Sequence, residues 1–172
     1  MHHDDKTAPA IATTSVLTER SASVLGLVLL WSRDEPGRVG QVALVPRPLG
    51  FGRRAEGAPI AELACFAWQS PGEPLPPPSI GGLLSGESIS RLQLRLTPTA
   101  VALEVVNEGR CEMLVNGKAC RKAILRPGDD LMLKGEVALL CVRRPAVMPA
   151  LRAARVAHAR GEPDEVGIVG GA

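Results

Sequence analysis

The chain has 172 residues, 45% of them hydrophobic, and a formal net charge of +2. That is room for one domain of ordinary size with tails, and the charge is too small to argue for a nucleic-acid partner. With two Trp, two Phe and no Tyr, the core must be aliphatic, and few rings are left for stacking on bases.

Residues 1–20 are rich in Thr, Ala and charge and show no periodicity, so a flexible leader is expected there. The opening "MHHDDKTAPA" is polar with no hydrophobic run behind it, which excludes a signal peptide. "SVLGLVLLWS" (Ser23–Ser32) is an apolar run of strand length, and its Val24–Trp31 part is far too short to span a membrane. A cytoplasmic protein is expected. "RDEPGR" then supplies a turn, and "VGQVALVP" (Val39–Pro46) alternates, which predicts a hairpin. "RPLGFGRR" is a further short strand ending in Gly52-Arg53-Arg54.

Between Ala55 and Gly86 the pattern breaks. "SPGEPLPPPSIGGLLSG" holds five prolines and four glycines in seventeen residues and predicts a long loop, with a short strand expected before it near "AELACFAWQ". Strands then resume. "SISRLQLRL" (Ser88–Leu96) alternates Leu92, Leu94 and Leu96 with Arg91, Gln93 and Arg95, and "AVALEVV" (Ala100–Val106) puts Val101, Leu103 and Val105 on one face. Asn116-Gly117 is the strongest two-residue hairpin signal in the chain. "RPGDD" marks another turn, and "LMLKGEVALLCVR" reads as a closing hairpin through Lys134-Gly135-Glu136.

About nine to eleven short strands at this spacing predict an all-β sandwich over residues 21–146. Only "AVMPALRAARVAHARG" (Ala146–Gly161) has helical character, so 147–172 is expected to be a linker, part helical or flexible.

Chemistry narrows the reading further. His2, His3 and His158 lie near the ends, so no histidine-based catalytic or metal site can be assembled from the body. The cysteines at 65, 111, 120 and 141 lack paired metal-ligand spacing and are expected to be free thiols. No enzyme, cofactor or metal is expected.

Four pieces, "FGRR" (Phe51–Arg54), "SRLQLRL" (Ser90–Leu96), "LVNG" (Leu114–Gly117) and "LRPGDDLMLKG" (Leu125–Gly135), stand in an order that resembles the forkhead-associated (FHA) domain. The resemblance implies a phosphothreonine-peptide reader, with the phosphate-binding arginine at Arg53 and the phosphate-binding serine at Ser90. The chemistry suits that assignment. A guanidinium presents a planar fork that matches phosphate oxygens, Ser90 adds a hydroxyl donor, and Arg91 adds positive field.

Two departures from the family pattern stand out. Gln93 occupies the position where the family usually has a loop-propping histidine. "GRCEMLVNG" (Gly109–Gly117) lacks the family's Asn-Gly-Thr; there Arg110 falls near the missing serine as a substitute cation, and Glu112 would repel a phosphate if it pointed inward. The alternative is therefore a degenerate FHA domain making phosphate-independent protein contacts. Finally, "GEPDEVGIVGGA" (Gly161–Ala172) resembles the junction into the ATPase of sigma-54-dependent transcriptional activators. That implies a regulatory N-terminal FHA module whose partner is an ATPase domain. The chain has no phosphate loop of the G-x-x-x-x-G-K-[ST] type and no helix-turn-helix pattern, so neither ATP hydrolysis nor DNA binding is expected of it.

Overall fold

The computed structural model describes residues 23–53 and 59–149. The leader, Arg54 and most of the expected helical linker lie outside them. Alternating and apolar segments form ten strands among these residues: β1 (Ser23–Ser32), β2 (Val42–Leu44), β3 (Leu49–Phe51), β4 (Leu94–Pro98), β5 (Leu103–Asn107), β6 (Met113–Val115), β7 (Lys118–Ala119), β8 (Lys122–Leu125), β9 (Asp130–Leu133) and β10 (Val137–Pro145). They build two antiparallel sheets, ordered β2-β1-β10-β9-β6-β7 and β3-β4-β5-β8. The expected all-β sandwich is thus borne out, as are the β1–β2, β6–β7 and β9–β10 hairpins. Among the described residues no helix is long and apolar enough to cross a membrane.

The two inner faces meet in an aliphatic core. Leu27, Leu29, Leu131, Leu133 and Leu139 from one sheet pack with Leu94, Leu96, Leu103, Val105 and Leu125 from the other, all essentially inaccessible. Burying a Val or Leu side chain is worth roughly 1.5–3 kcal/mol, so this aliphatic layer is the main driving force of the fold. At the β6–β7 turn Asn116 and Gly117 both adopt positive φ (47° and 75°), the geometry a two-residue hairpin of matching twist requires. The Asn116 side chain then fastens that turn to the next one: Nδ2 donates to Asp129 (3.0 Å) and Oδ1 accepts from the Asp130 N–H (3.1 Å). Asp129 also accepts from the Arg126 N–H, and these bonds lower its carboxyl pKa.

Three expectations need correction. Ser90 to Gln93 are not strand: β4 starts at Leu94, and Leu92 is 37% exposed rather than in the core. Gln93 takes the buried place instead, because its amide finds partners there. Val101 is 70% exposed, since the Thr99–Ala102 turn precedes β5 and breaks the alternation. The segment around "AELACFAWQ" forms no strand. Leu63 and Ala67 make single bridges to Gly50 and Val42, and the prolines and glycines that follow prevent a ladder from growing.

The long loop is nevertheless bound to the sandwich. Phe66 meets Phe51 edge to face at 6.0 Å, and Leu63, Ala64, Leu83, Leu84 and Ile89 are buried. Arg38, with a side chain only 15% exposed, donates to the carbonyls of Leu83 (2.8 Å) and Gly82 (3.0 Å) while pairing with Glu35 (3.0 Å).

Candidate functional site

The chain turns out of β3 through Gly52 directly against the Ser90–Arg91 peptide. A Cβ on Gly52 would lie 2.0 Å from the Arg91 carbonyl oxygen, so only glycine permits the approach. The next residue, Arg53, donates its backbone N–H to the Ser90 carbonyl (3.1 Å). From the other side the Arg110 backbone N–H donates to Ser90 Oγ (3.1 Å). The structure therefore gathers all four expected site residues, Arg53, Ser90, Arg91 and Arg110, around one loop edge.

Their side chains are unequally engaged. The Nε of Arg53 is buried and has no hydrogen-bond partner among the described residues. Ser90 Oγ accepts one bond, and its own proton goes to no group among the described residues. Arg91 and Arg110 are exposed, and neither they nor Arg53 form an ion pair among the described residues. The carboxylates on either side of Arg110 are neutralised elsewhere. Glu108 takes a two-pronged bond from Arg95 (2.9 and 3.2 Å), which holds its carboxyl below the usual range. Glu112 accepts from Lys134 (2.8 Å) and so is turned to the β9–β10 hairpin. What remains at the loop edge is net positive.

A buried amide network holds that edge in shape, and here the sequence reading stopped short. Gln93 is fully buried. Its Oε1 accepts from the Ser90 N–H (3.0 Å), and its Nε2 donates to Asn107 Oδ1 (2.7 Å) and the Cys111 carbonyl (3.1 Å). Asn107 extends the network to the Cys111 carbonyl (2.8 Å) and the Gly109 N–H (3.2 Å). Gly109 presses so closely on the Gln93 amide that a Cβ there would sit 2.3 Å from it. Asn107 stands at the end of the apolar run "AVALEVV", which is the one sequence signal for a buried place, and it pairs across the strands with Leu94.

The turn before Ser90 is braced as well. Arg33 pairs with the buried Glu136 (2.9 Å) and donates to Ser88 Oγ (3.3 Å), while the Cys111 thiol donates to the Ser88 carbonyl (3.0 Å). Burial, with the Glu136 charge behind it, pushes that thiol's pKa up, so it stays protonated as the donor. An open cleft of about 360 Å³ begins at Arg110 and continues past Cys111, Glu112 and Cys120 to Arg121. The arrangement offers charge-assisted donors of the kind that can hold an anion.

No protein-family model matches the sequence, and neither does any curated protein. Among solved structures it is similar to the Rv0020c FHA domain, with 14% identity, a TM-score of 0.48, and 74% of this chain and 99% of that one covered. It is likewise similar to the FHA domain of an Arabidopsis thaliana hypothetical protein (16% identity, TM-score 0.47, 71% and 86% covered). A third is the yeast Dun1 FHA domain in complex with a doubly phosphorylated (pT) peptide derived from Rad53 SCD1 (14% identity, TM-score 0.47, 95% and 97% covered).

Proposed function

We propose that this chain is an FHA module that binds a Thr-phosphorylated protein, taking the phosphate between Arg53, Ser90, Arg91 and Arg110. The observation that carries the reading is the buried, unpartnered Nε of Arg53, beside a serine whose hydroxyl proton is uncommitted. Arg53 as a whole is only half-buried, and a phosphate oxygen supplies the acceptor that its guanidinium lacks among the described residues. Each charge-assisted bond contributes about 1.5–3 kcal/mol, and two or three make up much of the roughly 8 kcal/mol that micromolar affinity needs. The finer reading, a regulatory N-terminal module of a sigma-54-dependent transcriptional activator, draws its support from the sequence of residues 161–172.

The test is fluorescence anisotropy with a degenerate phosphothreonine peptide library. Micromolar binding is expected, weakened about 10- to 150-fold in Arg53→Ala and reduced in Ser90→Ala. The missing Asn-Gly-Thr favours the second reading, a phosphate-independent docking domain. A folded protein that ignores the library, and keeps a partner after phosphatase treatment, would establish that one instead.

A further inference from the structure

The loop that the phosphate site does not use carries an exposed run, "SPGEPLPPPSI" (Ser70–Ile80), with prolines at 71, 74, 76, 77 and 78, all exposed. Its conformation follows from covalent chemistry. Each proline fixes its own φ near −65°, and each residue before a proline is kept out of the helical region. Leu75, Pro76 and Pro77 all precede prolines, every peptide bond is trans, and Ser79 is extended (φ −138°, ψ 158°). Leu75, Pro76 and Pro77 are thereby kept to extended or polyproline backbone, and no hydrogen-bonded secondary structure forms over Leu75–Pro78.

The run is held at both ends. The Gly72 N–H donates to the Met148 carbonyl (2.7 Å) and Pro74 bridges Val147. At the far end the Gly82 N–H and the Cys65 thiol both donate to the Ser79 carbonyl (2.9 and 3.6 Å), and Arg38 grips Gly82. Leu75 is half-buried, while Pro76, Pro77 and Pro78 stay exposed at the mouth of a cavity of about 210 Å³ that they share with Leu63 and Phe66. No hydrogen bond reaches the carbonyl oxygens of Leu75 to Pro78 among the described residues. The strap thus presents proline rings and acceptors, but no N–H donor from Pro76 to Pro78.

We infer that this strap is a docking ligand for a partner whose groove is lined by aromatic rings bearing N–H or O–H donors. Flat rings pack on the pyrrolidine faces, and indole or phenol donors reach the uncommitted carbonyls. Because the strap is already fixed in the binding conformation, little ordering entropy is lost on association. The site is separate from the phosphate edge and independent of its occupant.

The test is an NMR titration of the isotope-labelled full chain with purified SH3, WW and EVH1 domains, beside the free peptide 70–80. At least one domain is expected to shift the Leu75, Ser79 and Ile80 amides saturably at concentrations up to about 1 mM, with Leu131 and Val105 unmoved. Pro76→Ala/Pro77→Ala, which removes two exposed rings, frees their φ and restores two N–H groups, is expected to weaken that binding at least tenfold. Binding of the peptide but not the protein, binding unchanged in the variant, or no binding by any of the three domains would each overturn the inference.

Discussion

Gln93 shows why a glutamine suffices in a site built around a hydroxyl. An amide carries an acceptor and two donors at one end of a short stem, and here each is matched: the Ser90 N–H on one side, Asn107 Oδ1 and the Cys111 carbonyl on the other. Truncation does not affect these partners equally. Asn107 Oδ1 keeps the Gly109 N–H and the Cys111 carbonyl keeps Asn107 Nδ2, so the Ser90 N–H is the group left without its partner. Gln93→Ala is therefore expected to cost about 1–3 kcal/mol and to loosen the loop bearing the serine. Gln93→Glu should cost more, because it aims a buried carboxylate at two acceptors. Urea unfolding at constant slope measures both, and an unshifted midpoint in Gln93→Ala would remove Gln93 from the supporting network.

At the scale of elements, side chains from one turn do much to tie the long loop to the sandwich. Arg38 reaches the Gly82 and Leu83 carbonyls from the turn after β1, and Glu35 on the same turn receives the Ser85 N–H. Arg38→Met keeps the apolar stem and removes those bonds. It is expected to cost about 1.5–3 kcal/mol and to speed amide exchange at Phe66, Gly82 and Leu83 while β9 and β10 stay protected. Uniform exchange changes across the sandwich would contradict a local tie. None of this tethering was legible in "RDEPGR", which reads as a turn whatever its arginine does. The strands themselves were legible, since β1 has the bounds its apolar run sets and the Asn116-Gly117 turn falls where its chemistry demands. Alternation failed at its margins: carried back through Ser90–Gln93 it put Leu92 inside, where the chain in fact turns to bring Ser90 against Arg53. The four proposed site residues were chosen from motifs, but the network behind them joins residues 90, 93, 107 and 111 across a loop, a contact set that no local period encodes.

The whole molecule pairs its first strand with its last, β1 with β10 from Ser23–Pro145 to Ser32–Val137, so the sandwich closes only when the full body is present. That closed body contains no histidine, because the chain's three lie at positions 2, 3 and 158. Three of its thiols move away from neutrality: partial burial raises Cys65 and Cys111, and the buried Cys141 is pushed up to about 11. At the proposed edge of Arg53, Arg91 and Arg110, a bound phosphate, whose second pKa is about 6, is the group expected to titrate between pH 5.5 and 8. The sign follows directly: the dianion binds the guanidinium edge more strongly than the monoanion, so affinity falls as pH drops through about 6 and is level above about 7. Calorimetric titration of a phosphothreonine peptide across that range measures it. A second transition between about pH 6.5 and 8 would place a titrating protein group at the site, and an affinity that did not change with pH would mean the phosphate is not what the edge holds.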